Sequence, residues 1–485
     1  MGSRIRPSLF LGTLALASCA GGASDDPREG QLATFFAQEF QTLAVARPHQ
    51  LTLRFDEIAV SPFRFVRGTE PLYVRDLRDP SLAFAPPGSF DTNPTLILLQ
   101  GDAHPENIGV YGRQGEQHLE LNDFDVAGFG PFHWEVLRAA SSLAVALETL
   151  AVPATVRRHC VDELLRMYAE TIGQPDAGRP VGRSDVGEVI ARRFDKGLED
   201  GLDREELDEF TVLDGERRLL ARGNTDPEDP AEALLDVDPR IASALPQLIE
   251  RLRATLWGDD RPDAYFAVKD VARRCGQGVG SLTAIRLYVL LEGSTRDAGD
   301  DVVLQLKEAT DASLDRWLPY DARGNDAAER VVTRTRAMQS RPDSDPLLGH
   351  GLLFGVPIVS RTVEDFQKTV RVDGDLSRVS DQPDALARFA ADFGMLLAHT
   401  HARSVTLDGT AARSLLVRAL DGRVPSFVKT LGDRAMAHAA WTADDHGRFL
   451  RLRQKLGRDL GLTWPRRADV PKATDPLSWM DPPCP

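Results

Sequence analysis

The stretch LLQGDAHPENIGVYGRQGEQHLELNDFDVAGFGPFHWEVLRAA, residues 98–140, collects two compact acidic clusters between apolar runs. The first is Gly101-Asp102-Ala103-His104-Pro105-Glu106-Asn107 and the second is Asn122-Asp123-Phe124-Asp125. Just upstream, the continuous apolar run PTLILLQ predicts a buried strand that ends at Gly101. IGVYG and QHLELND read as two strands joined by the turn RQGE, a hairpin that returns the second cluster toward the first. From Trp134 to Leu150 apolar residues recur at three- and four-residue steps, which predicts an amphipathic helix. Asp, Asn and Gly are ordinary turn residues, so either cluster alone is explained by turn formation. Two clusters brought face to face by one hairpin call for chemistry as well.

The 485-residue chain is 42% hydrophobic and 27% charged, the profile of a globular protein with a sizeable core. Its net charge of −15 argues against a nucleic-acid partner, whose phosphate backbone is held mainly by cations. The N-terminus reads as an export signal. Arg4 and Arg6 precede the short apolar run SLFLGTLALAS, which is too short to span a bilayer. Leu16-Ala17-Ser18-Cys19 resembles a bacterial lipobox, so Cys19 is the expected lipidation site, residues 1–19 the signal peptide and residues 20–30 a flexible tether. The expected location is then the cell-envelope side of a membrane, held by a lipid anchor. Ordinary signal cleavage near the same place is the alternative. Cys160, Cys275 and Cys484 match no zinc spacing and read as core or incidental thiols, with one disulfide open to them in an oxidising compartment.

Three further segments follow from composition. Residues 31–260 carry the acidic clusters and a mostly helical, charged stretch. Residues 261–380 change character, with the glycine-rich turn CGQGVGS followed by the strand-like runs LTAIRLYVLLEG and DDVVLQLKEA. Residues 381–485 return to helix and end in a Pro-rich tail expected to be extended.

Asp102 and Asn107 stand five apart, the spacing at which protein kinases place a catalytic Asp and a metal-binding Asn. Asp123-Phe124-Asp125 resembles the D-F-G element, whose first Asp holds Mg²⁺. Phosphoryl transfer needs these residue types: a carboxylate to take the acceptor's proton and hard oxygen ligands for Mg²⁺. Gly276, Gly278 and Gly280 would let backbone N–H groups approach phosphates. Strand alternation puts Gln305 and Lys307 on one face and Leu304 and Leu306 on the other, so Lys307 suits the phosphate-binding lysine. Glu329, on a helix expected over residues 326–339, is the candidate partner of that lysine. Arg67, His104 and Asp125 are possible accessory groups.

These clusters, with SPFRFVRG, GQGVGS, LQLKEA, RVVTRTRAMQ and LLAHTHARS, resemble the bacterial domain-of-unknown-function family 2252 over about residues 50–405. That family is similar to the aminoglycoside-phosphotransferase branch of kinase-like proteins. The resemblance implies an α+β, two-lobed, kinase-like fold with ATP and Mg²⁺ as cofactors. Here Thr333 stands where the family usually has Glu. The motif order also differs from that of kinases, since the Asp102 loop precedes the glycine turn. Circular permutation explains that order. The expected function is phosphotransfer to an unknown hydroxyl acceptor. Alternatives are a non-catalytic nucleotide- or ligand-binding lipoprotein (a pseudokinase), AMP transfer with ATP reversed, and a metal-dependent phosphoesterase in which Asp102 and His104 ligate metal. The last lacks further ligand clusters. His399 and His401, two apart on a helix, point to different faces and do not supply one.

Overall fold

In the computed structural model, residues 26–82, 96–112, 115–203, 205–224, 232–276, 278–318, 326–363, 366–462 and 480 are described. Cys19, the signal peptide, residues 20–25 of the expected tether and most of the Pro-rich tail lie outside them; residues 27–30 are not tether but open the helix Pro27–Glu39, where Arg28 and Glu29 are buried. The fold is α+β. Among the described residues no helix is long and apolar enough to cross a membrane.

The expected strand is Leu96–Leu99, which pairs antiparallel with Gly128–Pro131. The expected hairpin is Ile108–Tyr111 with His118–Leu121, Ile108 opposite Leu121. The expected amphipathic helix is Phe132–Thr149. It packs with the helices Ala154–Gly173, Pro383–Arg403 and Val424–Leu456 around one helical core. The last of these, 33 residues long, also closes over the N-terminal helices. There Phe36, Phe55, Phe65 and Phe449 form an aromatic cluster, with Phe36 and Phe449 centroids 4.9 Å apart.

The second core belongs to a seven-stranded antiparallel sheet. In spatial order its strands are Gly349–Leu353, Val356–Thr362, Val302–Glu308, Arg286–Leu291, Val268–Arg274, Ala233–Leu235 and Gly223–Asn224. The sheet therefore begins well before residue 261, inside a stretch read from its charge as mostly helical. Strands of two and three residues are too short to show alternation above that charge. Leu304 and Leu306 are buried in the core that the helix Pro239–Arg253 covers, as alternation requires.

Cys160 is a free, buried thiol. Cys275 is disulfide-bonded, which corrects the reading of it as an incidental thiol. Its partner lies outside the described residues.

Candidate functional site

The strand Leu96–Leu99 delivers the chain into Gly101, whose φ of +99° only glycine adopts freely. A Cβ there would stand 2.4 Å from the Val126 carbonyl oxygen, so glycine also allows the two acidic loops to touch. Gln100 sews them together. Its side-chain amide donates to the carbonyls of Asn122 (2.9 Å) and Asp123 (2.7 Å), and its Oε1 accepts from the Asp102 N–H. Glu135, in the first turn of Phe132–Thr149, accepts from the N–H groups of Gln100 and Gly101. Glu135 is braced by His401 Nε2 at 2.6 Å, and His401 Nδ1 meets the Tyr168 hydroxyl at 2.8 Å. His399 instead accepts from the Gly178 N–H. Both histidines are thus buried and partnered, with no shared metal position.

One turn beyond Glu135, Arg138 donates to Asp102 Oδ1 from Nε (3.0 Å) and Nη2 (2.5 Å). Burial pushes the Asp102 carboxyl up to about 6, against the pull of Arg138. His104 lies 3.8 Å from Asp102 and edge-on to Phe63, and burial holds it well below the usual imidazole range, so it is neutral. Asn107 donates from Nδ2 to the Asp102 carbonyl at 2.9 Å. Its Oδ1 has no partner among the described residues and is available to a cation.

Asp123 has left-handed backbone, φ 54° and ψ 68°. That conformation is uncommon outside glycine and tolerated by Asp. Burial works to raise its carboxyl, but Lys307 and Arg361 outweigh burial and hold it well below the usual range. Lys307 Nζ lies 3.6 Å from Asp123 Oδ1 and pairs more closely with Asp125. The cluster at 101–125 and a strand about 180 residues later in the chain therefore meet.

The expected Lys307–Glu329 pair is not formed; Lys307 binds the two aspartates instead. On the helix Ala327–Met338 it is the next residue, Arg330, that turns inward. Arg330 donates to the carbonyls of Ala127 and Asp125, and Arg334 to Ala127 and Asp315. One residue is a 100° rotation on a helix, and the charged run hides the phase. Thr333 is exposed, so a Glu at that position would not face Lys307 either.

Gly278 and Gly280 line a cleft of about 470 Å³ together with Asp102, His104, Asn107, Asp123, Asp125 and Arg67. Gly278 needs its φ of +80°, and a Cβ there would meet Ser281 Oγ at 2.8 Å. Gly276, also left-handed, stands at the turn's entry and is not part of the cleft wall, and neither are Gln305, Lys307 and Glu329; Lys307 lies behind the wall's Asp123 and Asp125. Arg67 pairs with Glu106 at 2.5 Å across the cleft's edge. Three groups were not foreseen here: Arg54, which donates to the Gly280 and Gly68 carbonyls; Arg47, which holds Glu308 and the Thr283 carbonyl; and Glu70. The first two fasten the N-terminal helices to the glycine turn.

A sequence family described as "uncharacterized protein conserved in bacteria" (DUF2252) matches residues 47–452. The chain belongs to that family. No curated protein and no solved structure matches it. The family boundary begins at Arg47 and ends at Leu452, so it takes in both acidic loops, the glycine turn and Lys307.

Among the described residues no group of three or more His, Cys, Asp or Glu side chains could hold a metal ion by itself. Asn107 Oδ1 and the Asp123 carboxylate, whose Oδ1 is buried without a hydrogen bond, offer two hard oxygens. That set fits Mg²⁺, which keeps waters and substrate phosphates in its shell and needs few protein ligands.

Proposed function

We propose that this DUF2252 protein transfers a phosphoryl group from ATP to a hydroxyl acceptor, on a two-lobed, circularly permuted kinase-like fold. The observation that carries the reading is Lys307 beside Asp123 and Asp125, two aspartates that line one cleft with Asp102, Asn107, Gly278 and Gly280. Two features support the permutation. The five strands from Val268 to Thr362 run in the order first, second, third, fifth, fourth, the order expected of a kinase small lobe. Residues just after the helix Pro383–Arg403 lie beside the strand that feeds the Asp102 loop: the Leu98 N–H donates to the Val405 carbonyl, and Ser404 Oγ to the Leu98 carbonyl. In an unpermuted chain that helix would run directly into the loop.

Asn107 and Asp123 would hold Mg²⁺, which neutralises charge on the phosphates when bound. The Gly278–Gly280 turn covers the phosphates with backbone N–H groups, and Lys307 neutralises them from the strand side. Asp102, oriented by Arg138, takes the acceptor's hydroxyl proton. The acceptor oxygen bonds to the γ-phosphorus, the bond to the β,γ-bridging oxygen breaks, and ADP leaves. His104, neutral and against Asp102, restricts where that carboxylate can turn. Cys19 is proposed to carry the lipid anchor, and labelled palmitate should enter the wild type but not Cys19→Ala.

Calorimetric titration of the full chain with ATP tests the reading. Binding should require Mg²⁺, weaken at least tenfold in Lys307→Ala, and be followed by release of ADP. ATP that fails to bind, or turnover to AMP, contradicts it.

A further inference from the structure

Cys275 is the point where the seven-stranded sheet gives way to the glycine turn. It follows the strand Val268–Arg274 directly, and its N–H donates to the Ala233 carbonyl at 2.8 Å. It is 2% exposed and disulfide-bonded. The next residue, Gly276, is left-handed, and Gly278 two further on lines the cleft. Whatever holds the Cys275 sulfur therefore holds the entry of the turn.

The chain has four cysteines, and Cys160 is a free thiol. Cys19 and Cys484 remain as partners. Met480 chooses between them. It is 1% exposed and sits in the buried core of the sheet with Val271, Leu287 and Leu306. Cys484 stands four residues after Met480, a reach of about 13–14 Å along an extended chain. Cys275 stands four residues after Val271 of that same core, about 13 Å along a strand. The two cysteines thus leave one core on equal lengths of chain. Cys19 has no such tie. Asp26, the first described residue after it, pairs with Arg448 on the long C-terminal helix. As the proposed lipid attachment point, its sulfur would also be a thioether, closed to disulfide formation.

We propose that Cys484 is the disulfide partner of Cys275, so that the last residues of the chain dock on the sheet lobe and pin the entry of the glycine turn. Forming the bond takes two electrons and two protons from the two thiols; a disulfide oxidant accepts both and is left as two thiols. A dithiol reductant reverses the exchange and is left as a disulfide. The ring closed by the bond takes in the glycine turn, the Lys307 strand and the helix Val424–Leu456. Reduction opens the ring and frees the turn's entry, which makes the cleft redox-sensitive. Such a bond persists in an oxidising compartment, whereas glutathione and thioredoxin keep cytosolic thiols reduced. The bond does not rest on the phosphotransfer reading; its effect on MgATP does.

The full chain, expressed into an oxidising compartment and purified without reductant, is alkylated, digested with trypsin and mapped by mass spectrometry. Peptides 275–286 and 473–485 should appear joined, in a protein that runs as a monomer on a non-reducing gel. Cys275 alkylated before reduction, or joined to the Cys19 peptide or to a second chain, overturns the pairing. Hydrogen exchange reads the pinning. Amides of residues 278–284 should exchange on the order of tenfold faster after dithiothreitol reduction of the wild type, because a released segment opens locally more often. Cys484→Ser should match the reduced wild type with or without dithiothreitol. Unchanged exchange in the reduced wild type overturns the pinning. Reduction should also lower MgATP affinity about fivefold, since a loosened turn must be ordered on binding. Faster exchange with unchanged MgATP affinity overturns the redox sensitivity of the cleft. Faster exchange in a protein that does not bind MgATP in either state keeps the bond and removes the phosphotransfer reading.

Discussion

Asp102 and Asp123 are both aspartates of one hairpin segment, but their surroundings drive them apart. Burial raises Asp102 to about 6, while Lys307 and Arg361 overcome burial at Asp123 and hold it ionised. The difference suits the proposed roles: a proton acceptor needs a carboxyl near working pH, and a cation ligand needs a permanent charge. Asp102→Asn should leave MgATP affinity within about twofold in calorimetry and lower turnover on the order of 10²–10⁴-fold. Asp123→Asn should weaken Mg²⁺-dependent binding itself. Equal loss of binding in both would make Asp102 a ligand. The pH profile has a fixed sign. In the proposed reaction Asp102 acts as carboxylate, so kcat/KM should fall as pH drops through about 6. Arg138 pulls that value down, so Arg138→Gln should move the acid limb to higher pH. A limb that stays in place would show that Asp102 is not the titrating base. That Asp102, Asn107 and Asp123 would share one cleft was legible, because a single short hairpin joins the two acidic loops. Arg138, Glu135, Arg54 and Glu70 were not, because what defines them is a partner distant in the chain or the lack of one.

The helix Phe132–Thr149 shows what one element contributes. Its first turn presents Glu135 to the loop amides and its next presents Arg138 to Asp102, so the helix sets the geometry of the Asp102 loop. Its apolar stripe was readable from periodicity, while the buried polar positions between, Glu135 and Arg138, hold the Asp102 loop. Its His133 is 2% exposed, and burial, with Arg434 adding to it, lowers its value to about 4. An unfolded histidine titrates near 6.5, so the unfolded chain binds the extra proton between those values. His133 therefore costs stability as pH falls from 6.5 toward 4, by about 1.4 kcal/mol per pH unit within that window. Urea midpoints measured from pH 7 to pH 5 should fall less steeply in His133→Phe than in wild type. Parallel slopes would refute the assignment. The helix Ala327–Met338 shows the opposite outcome for legibility. Its existence and span were readable, but its rotational phase was not, and Glu329 stands one residue from the inward-facing Arg330.

At the scale of the whole molecule, the N-terminal helices that wall part of the cleft are fastened to the long C-terminal helix. Arg28, 7% exposed, donates to Asp445 on the long C-terminal helix and to Asp76 beside the cleft helices. It also stacks on Trp441 at 4.9 Å. Arg28→Met leaves two buried carboxylates facing each other, and should lower unfolding stability by about 3–5 kcal/mol in guanidinium titration. A loss under about 1 kcal/mol would show that the ends are not fastened there. The α+β class and the order of the motifs were legible from patterning. The pairing of Gly223–Asn224 and Ala233–Leu235 with the sheet was not, because so few residues carry no period. The central claim is that distant segments form one nucleotide site, and a crystal structure with Mn²⁺ and a non-hydrolysable ATP analogue tests it most directly. The account predicts an anomalous peak for the cation bonded to Asn107 and Asp123, with the phosphates between it, Lys307 and the Gly278–Gly280 turn. An analogue bound elsewhere, or a cation held by Asp102 and His104 without phosphates, would contradict it.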